Sequence, residues 1–350
     1  MYDFVPAPLP SLHKWRKFFI SRGVPEPRIQ ELLIYIKPLV KNRVPVIFNL
    51  EHLGRLLGRK TGYLAKIINS NEHFYRSFQI PKKNGAHRII NAPYPSLLEC
   101  QRWINDNILS IVKIHDCAKG YLKNTSIIDH VEPHLGNNVV LLLDLKDFFP
   151  NITINRIIPV FRNLGYSQQV SLALSKICTL NDILPQGAAS SPSLSNIICN
   201  RLDKRIACYS EKNDINYTRY ADDLCFSSKH IEPHKIKMIL KIINSEGFLI
   251  NSSKYRLLGP QSSQKIITGI NISNGAMKIS NTYKRELSLA MYCIKKFGIR
   301  SHLQKLKIRD TYYLDSLYGK INYWLNIEST NKKAKFYKMF VRSLMQTYEP

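Results

Sequence analysis

The stretch NYTRYADDLCFSS, residues 216–228, places two adjacent carboxylates, Asp222 and Asp223, between short runs of β-prone residues. The runs alternate in polarity, so the stretch predicts two strands joined by a tight turn with the acids at its tip. Neighbouring carboxylates repel each other, which makes either one harder to ionise. A solvated turn tolerates that repulsion, whereas a bound divalent cation turns the pair into an advantage. On this stretch alone both interpretations stay open.

A third acid, Asp144, follows the apolar run VVLLL at residues 139–143. Such a near-continuous run predicts a strand buried on both faces, so an acid at its end is held rigidly at the rim of the core. An Asp that begins an ordinary turn is the common alternative. Acids from two separate elements fit a site for two Mg²⁺ ions, which prefer carboxylates, substrate phosphates and water. Asp144 and Asp222 could bridge both ions, with Asp223 as the supporting acid.

The chain has 350 residues, and its 51 Lys and Arg against 25 Asp and Glu give a net charge of +26. The excess runs along the whole chain and predicts a nucleic acid partner, because neutralising phosphates releases counterions. An anionic membrane surface is the weaker alternative, since no strongly basic amphipathic helix stands out. No apolar run is long enough to span a bilayer, and the N-terminal residues lack a signal-peptide core, so we expect a cytoplasmic protein without membrane contact.

Helical and strand patterns are mixed along the chain, which predicts an α+β fold with helical appendages. Residues 49–69 resemble a helix-turn-helix, although a helical hairpin packed into a larger fold is the favoured alternative. Residues 74–92 predict a β-hairpin around a KKNG turn, and residues 155–178 predict one helix. A strand is expected near residues 265–273. The seven cysteines and ten histidines show no metal-ligand spacing, so we predict reduced thiols and no zinc site.

Three blocks in one order carry a family resemblance: LDLKDFF at residues 143–149, LPQGAASSP at 184–192, and YADD at 220–223. This order and spacing resembles a reverse transcriptase, and within that family it is most similar to the bacterial retron enzymes. The similarity runs from about Phe78 to the C-terminal region. It implies a right-hand polymerase fold of the α+β class, with fingers, palm and thumb.

The resemblance also divides the chain into regions. It implies an N-terminal helical region at residues 1–72 and fingers at 73–138. The palm would span 139–275 and include finger elements at about 155–185, and thumb and C-terminal helices would span 276–350.

The resemblance implies that Asp144, Asp222 and Asp223 are both the catalytic residues and the ligands of two Mg²⁺ ions. Phe149 matches the position that excludes a ribose 2′-OH, with a core aromatic as the alternative. Lys254 matches a palm lysine near the triphosphate of the incoming dNTP, and a solvated lysine at a helix end is its alternative.

Further dNTP contacts are implied in two loops. Gln186 and Gly187 match the loop that lines the dNTP and the template, where glycine permits close approach of the backbone. Lys83 and Arg88, in the predicted hairpin, match cations that grip the triphosphate. For this pair ordinary surface charge is the alternative, and Lys82 could take the place of Lys83.

Two short segments resemble marks of the retron enzymes. The Val-Thr-Gly mark reads Ile-Thr-Gly at residues 267–269, which makes Thr268 and Gly269 candidates for RNA binding. The Asn-Ala-x-x-His mark corresponds to HVEPH at residues 130–134, which keeps only the final His134. Tyr323, in the thumb-like stretch LYGKINYWLNI, is another candidate RNA contact.

The implied function is an RNA-directed DNA polymerase that extends a primer hydroxyl with dNTPs. A retron enzyme would use a structured non-coding RNA as template and primer, and would yield an RNA–DNA product of the msDNA type. An antiphage defence role with an accessory effector protein is also implied. The alternatives are another bacterial reverse transcriptase, either group II intron-like or from another defence-associated class, and a non-catalytic RNA-binding scaffold, which the intact acid triad disfavours.

Overall fold

The computed structural model of the protein describes residues 10–81, 85, 87–307 and 311–347. The helices are α1 (Leu12–Ser21), α2 (Glu26–Lys41), α3 (Leu50–Leu57), α4 (Thr61–Asn69), α5 (Pro95–Ile104), α6 (Ile127–Val131), α7 (Ile154–Asn163), α8 (Gln168–Cys178), α9 (Ser191–Glu211), α10 (Pro233–Ser245), α11 (Asn281–Phe297), α12 (Ile299–Leu306), α13 (Tyr313–Ile327) and α14 (Lys332–Thr347). The strands are β1 (Tyr75–Pro81), β2 (His87–Pro93), β3 (Val139–Asp144), β4 (Asn216–Tyr220), β5 (Asp223–Ser228), β6 (Arg256–Leu258), β7 (Ile266–Ile267), β8 (Ile270–Asn271) and β9 (Lys278–Ile279). This mixture of helices and antiparallel sheets confirms the predicted α+β class.

The central sheet has four antiparallel strands in the order β4-β5-β3-β6. Its β4–β5 hairpin turns through Ala221 and Asp222, as the alternating pattern predicts. Strand β3 lies between β5 and β6, and its last residue, Asp144, stands opposite Asp223. The sheet therefore joins the two acidic segments at one end.

The two faces of the central strands pack into two different hydrophobic cores. Leu141, Leu143 and Phe226 belong to the first core, whereas Val140 and Cys225 belong to the second. Successive side chains of a strand point to opposite faces, so alternate residues of one apolar run fill both cores. The prediction that β3 is buried on both faces is thus confirmed, and this double packing makes its acidic end a rigid position.

The N-terminal helices pack into the first core. In the α3–α4 hairpin, Leu53, Leu64 and Ile67 are fully buried in that core. Gly58 ends α3 in the left-handed conformation, which glycine adopts without a steric penalty. The segment that resembled a helix-turn-helix is therefore a packed helical hairpin, the favoured alternative.

The prediction of one helix over residues 155–178 is wrong, because α7 and α8 are separate helices. Gly165, at φ +110°, breaks the path between them. A side chain there would place its Cβ 2.9 Å from Pro38 of α2, so the turn is packed too closely for any other residue. Ser167 then caps α8 by accepting a hydrogen bond from the Val170 N–H at 3.3 Å.

The predicted strand near residues 265–273 is two short strands instead, β7 and β8, joined by a tight turn. Thr268 and Gly269 both have positive φ, which reverses the chain after two strand residues. With β9 they form a three-stranded sheet, and Ile267 and Ile270 are buried in the second core. Helices α11, α13 and α14 supply most of the rest of that core.

The predicted boundaries between N-terminal region, fingers, palm and thumb stay predictions. The first core contains buried side chains from the first three regions, for example Ile36, Cys100 and Ile239. The C-terminal helices fill the second core. Within the described part of the chain, no helix has both the length and the apolar character that crossing a membrane requires.

Candidate active site

The three predicted acids meet at the end of the central strands. Asp144 ends β3 and stands opposite Asp223, the first residue of β5. Asp222 occupies the turn between β4 and β5, and its carbonyl accepts a hydrogen bond from the Leu145 N–H at 3.0 Å. Residues paired across antiparallel strands have Cα atoms roughly 4.5–5.5 Å apart. The structure therefore brings together acids that lie almost eighty positions apart in sequence.

Burial and mutual repulsion make two of the acids hard to ionise. Burial raises the pKa of Asp223 to about 6, and the charges of Asp222 and Asp144 add to the effect. The pKa of Asp222 is also raised, first by burial and then by Asp144. Without a cation, the hairpin tip is thus a site of concentrated and poorly solvated negative charge.

The third acid, Asp144, is bonded to a lysine. Lys254 Nζ donates a hydrogen bond to Asp144 Oδ2 at 2.5 Å, and Asn251 Nδ2 donates to Oδ1 at 3.2 Å. Burial alone would lower the pKa of Lys254, but the hydrogen bond to Asp144 and the surrounding carboxylates outweigh it and raise that pKa. The structure therefore pairs Lys254 with Asp144, and its predicted contact with the triphosphate stays a prediction.

The chemistry of the three acids suits divalent cations, although the side chains are not arranged as a complete set of metal ligands. Within the described ranges, no three side chains among His, Cys, Asp and Glu are gathered into a metal site. Both oxygens of Asp144 accept bonds from Lys254 and Asn251. Carboxylate oxygens are nevertheless the ligands that Mg²⁺ prefers, and a cation would relieve the repulsion that raises the pKa values of Asp222 and Asp223.

A cleft of about 540 Å³ lies beside the β1–β2 hairpin. Arg88 of β2 and Gln186 of the loop before α9 both line it, as do Tyr75 and Asp147. The charge of Arg88 is also near enough to Asp222 to lower that acid's pKa against the larger effect of burial. Two of the predicted dNTP contacts, Arg88 and Gln186, thus share one cleft.

Backbone contact holds the Gln186–Gly187 loop against β2. The Asn91 N–H donates to the Gln186 carbonyl at 2.7 Å. Gly187 has φ +119°, and a Cβ there would lie 2.8 Å from the Asn91 carbonyl oxygen. Glycine at this position is therefore required by the close approach of the loop to the hairpin.

Phe149 is 9% exposed and packs against Phe148 with ring centroids 5.3 Å apart. Tyr121 also contacts Phe149, with ring centroids 6.4 Å apart. Partial burial raises the pKa of Tyr121, and the Asp222 charge contributes to that shift. Tyr121 belongs to no motif in the sequence, so only the fold could reveal it.

One predicted dNTP contact, Lys83, lies outside the described residues, as does its alternative, Lys82. Arg88 on β2 is described and exposed. Of the two cationic side chains predicted to bind the triphosphate, the structure therefore describes only Arg88.

The predicted RNA contact His134 is completely buried under the central sheet. Its Nδ1 bonds with Ser227 Oγ and its Nε2 with Thr218 Oγ1, both at 2.7 Å. Burial lowers the pKa of His134 to about 3, so the ring is neutral. The ring is thus out of reach of RNA and instead ties the segment before β3 to strands β4 and β5. His130 makes a second bond to Thr218 Oγ1, at 2.8 Å.

The other predicted RNA contacts lie near the acids. Thr268 and Gly269 line a small cleft of about 110 Å³ together with Asp144 and Asp223. The Thr268 hydroxyl is buried there without a hydrogen-bond partner. Tyr323 of α13 is half-buried, and burial followed by the proximity of Tyr220 raises its pKa. These residues are therefore close to the hairpin tip, although their role stays a prediction.

The chain is similar to a known family of proteins. A family model described as "Reverse transcriptase (RNA-dependent DNA polymerase)" matches residues 80–272. The chain is 36% identical over 255 residues to the retron Ec86 reverse transcriptase of Escherichia coli, covering 72% of this chain and 79% of that protein. It is 30% identical over 257 residues to the retron Mx162 reverse transcriptase of Myxococcus xanthus, covering 63% of this chain and 53% of that longer protein.

Two solved structures also match this chain. Telomerase from Candida albicans, with a fragment of telomeric RNA, matches at a TM-score of 0.44 and 11% identity, covering 77% of this chain and 63% of that chain. A foamy viral protease–reverse transcriptase with double-stranded DNA matches at a TM-score of 0.41 and 14% identity, covering 97% of this chain and 62% of that chain.

Proposed function

We propose that this chain, which belongs to the bacterial retron type of the reverse transcriptase family, copies one dedicated RNA into DNA. The chain is an RNA-directed DNA polymerase. The proposal adds that its template and primer is a structured non-coding RNA and that it extends a primer hydroxyl with dNTPs. Both substrates are found in the bacterial cytoplasm, where we propose that it acts.

The observation that supports this proposal best is the register of the acids. Asp144 stands opposite Asp223, with Asp222 in the joining turn. Enzymes of this fold family generally use divalent metal ions, and these three side chains would hold two Mg²⁺. When bound, such ions activate the attacking hydroxyl and stabilise the leaving pyrophosphate.

Other side chains would bind and orient the nucleotide. Arg88 lines the cleft beside the hairpin and offers a guanidinium to the triphosphate. The Gln186–Gly187 backbone lies against β2 and would border the nucleotide and template. The Phe149 ring, supported by Tyr121, would exclude a ribose 2′-OH and so select dNTPs.

Lys254 would pair with a different negative group once the metal and nucleotide sites are filled. Its ammonium now bonds to Asp144, and its side chain is about half exposed. With cations bound at the acids, this ammonium would be free to pair with the negatively charged triphosphate. Lys254 would thus keep Asp144 paired until substrate arrives.

We further propose a retron-type product and role. The product would be an RNA–DNA molecule of the msDNA type, and the system would serve antiphage defence with an accessory effector protein. Similarity to enzymes described as retron reverse transcriptases supports this step. Sequencing the nucleic acid that copurifies with the protein tests it: one structured RNA joined to a short DNA is expected, whereas long tandem or untemplated DNA would contradict it.

Primer extension on an RNA template with Mg²⁺ tests the catalytic assignment. The wild type should extend the primer, and Asp222→Asn should lose nearly all activity because the tip loses a metal-binding oxygen and its charge. An Asp214→Asn variant is the matched control, since this exposed acid lies in the turn between α9 and β4, away from the acids and the cleft. Extension by both wild type and Asp222→Asn, or by neither, would reject the assignment. Tight RNA binding with no extension would favour a non-catalytic scaffold.

A further inference from the structure

The largest fully buried side chain in the described part of the molecule is Arg219, three residues before Asp222. Its Nε and Nη2 donate to the two carboxylate oxygens of Asp203 on α9, at 2.8 and 2.6 Å. Both side chains are completely buried. A buried ion pair gives little net stability over apolar packing, so its presence calls for another explanation. The two-point contact does fix the plane of the guanidinium.

The third nitrogen of this guanidinium holds the acidic turn. Arg219 Nη1 donates to the Ala221 carbonyl at 3.0 Å and to Asn196 Oδ1 at 3.1 Å. The Ala221 carbonyl belongs to the peptide bond that leads into Asp222. Ala221 has φ +57°, a left-handed conformation that is unfavourable for a residue with a side chain. The hydrogen bond from Arg219 therefore holds the backbone in a strained conformation beside the acid.

The other side of the turn is held by the segment before Tyr121. Asn196 Nδ2 donates to the Gly120 carbonyl at 2.9 Å, so one side chain links this segment to Arg219. The Lys119 N–H donates to the Arg219 carbonyl at 2.7 Å. A Cβ on Gly120 would lie 2.8 Å from the Ala221 backbone nitrogen. The turn is thus confined between Gly120 and the guanidinium.

We propose that Arg219 is a positioning residue, which together with Asp203, Asn196 and Gly120 sets the place of the Asp222 carboxylate. The proposal rests on the proposed function and adds how the metal-binding tip is held. It acts through the Ala221–Asp222 peptide, so it affects the response to divalent ions and the rate of the chemical step. Nucleotide binding in the cleft beside β2 depends on other elements and should be nearly independent of it.

Two variants displace the turn in different ways. Gly120→Ala pushes a methyl group against the Ala221 nitrogen, and Arg219→Lys keeps the charge but loses the fork that holds Asp203 and Ala221 together. Each should lower kcat by about 10–100-fold, the cost of misplacing a reacting group by an ångström or less. The Mg²⁺ concentration for half-maximal rate should rise several-fold, and the KM for dNTP should stay within about twofold.

Two control variants make changes of comparable size that leave the turn untouched. Tyr217→Phe removes a hydrogen bond to Asp203 but leaves the bonds from Arg219 to Asp203 and Ala221 in place. Gly62→Ala adds a methyl group that meets nothing within 4 Å. Both should keep the wild-type Mg²⁺ dependence, even where the Tm changes. Gly120→Ala carries the test if Arg219→Lys does not fold, because its buried ion pair stays intact.

The proposal is overturned if folded Gly120→Ala retains the wild-type kcat and Mg²⁺ dependence. It is also overturned if the KM for dNTP rises in proportion to the loss of rate. Direct Mn²⁺ binding, measured by calorimetry without RNA or dNTP, separates this proposal from the proposed function. An inactive wild type would reject the polymerase, while weaker Mn²⁺ binding in Gly120→Ala than in wild type would still support the positioning role and equal binding would overturn it.

Discussion

Single residues at the hairpin tip are arranged at an electrostatic cost. Asp222 and Asp223 are both partly buried, and each has a raised pKa because of that burial and the neighbouring charges. Asp144, beside them, forms an ion pair with Lys254. An arrangement of this kind destabilises the metal-free protein and favours binding of cations, which is the expected balance for a metal-dependent site.

At this scale the stability of the metal-free protein should depend on pH through Asp223. Its pKa is about 6 in the folded protein against an ordinary value of 3.8, so the folded state binds the extra proton between these values. The stabilising contribution of the protonated form is therefore complete below about pH 4 and is lost as the pH rises through about 6. Asp223→Asn stays neutral and does not undergo this loss.

The measurement is Tm in a chelator across this pH range. The Tm of Asp223→Asn minus that of wild type should grow as the pH rises from about 4 to about 6, and saturating Mg²⁺ should shrink the difference. The control, Asp214→Asn, should follow the wild type. A difference that is constant with pH would contradict the raised pKa of Asp223.

At the scale of elements, close approach of backbone segments positions the site. The loop before α9 lies against β2 through the bond between Asn91 and Gln186, and Gly187 makes that approach possible. The β1–β2 hairpin is largely exposed on both faces, so this contact is important for holding it over the cleft. Rigid strands thus carry the acids, while a loop contact holds the residues proposed to bind the nucleotide.

Gly187→Ala should disturb the loop contact with β2 and leave the strands that carry the acids in place. The new Cβ would meet the Asn91 carbonyl at 2.8 Å in a backbone conformation of φ +119°, so the loop has to withdraw from β2. We expect a loss of about 1–3 kcal/mol in the free energy of unfolding, the usual cost of such strain. The KM for dNTP should rise about tenfold or more, because the cleft loses its alignment.

Gly259→Ala is the control, since its methyl group meets nothing within 4 Å and its φ is not positive. It should leave both stability and KM near the wild-type values. Steady-state kinetics and denaturant unfolding provide the two readouts. A Gly187→Ala protein with the wild-type KM would show that the loop does not border the nucleotide.

Over the whole molecule, two hydrophobic cores lie on opposite faces of one sheet, and the chain carries a large net positive charge. The net charge of +26 far exceeds what solubility requires and suits a long anionic partner. The overall charge would attract nucleic acid, and the acidic tip, once neutralised by cations, would receive its growing end.

Binding of structured RNA should therefore depend steeply on salt. If six or more phosphates are neutralised, the logarithm of the association constant should fall with the logarithm of salt concentration at a slope of about −4 or steeper. Fluorescence anisotropy at fixed Mg²⁺ measures this slope. Asp222→Asn should have the same slope as wild type, because it leaves the basic surface unchanged; a shallow slope would contradict a phosphate-dominated interface.

The sequence by itself determined the acids, the strands that carry them and the family. Alternation in β4 and β5 and the apolar run of β3 are short-range patterns, and they predicted the hairpin and the buried strand that the fold contains. The ordered motifs predicted a retron-type reverse transcriptase, which the family model and relatives confirm. These features could be predicted because periodicity and motif order depend on neighbours in the chain.

Only the tertiary structure decided which distant residues meet. Lys254 bonds to an acid 110 positions away, and Arg219 pairs with Asp203 on another element beneath the turn. His134, a predicted RNA contact, is instead a buried link between strands. Gly165 breaks a helix that local periodicity favours, because α2 packs against it. Packing and hydrogen-bond satisfaction select such partners, and both depend on surfaces that exist only once the chain has folded.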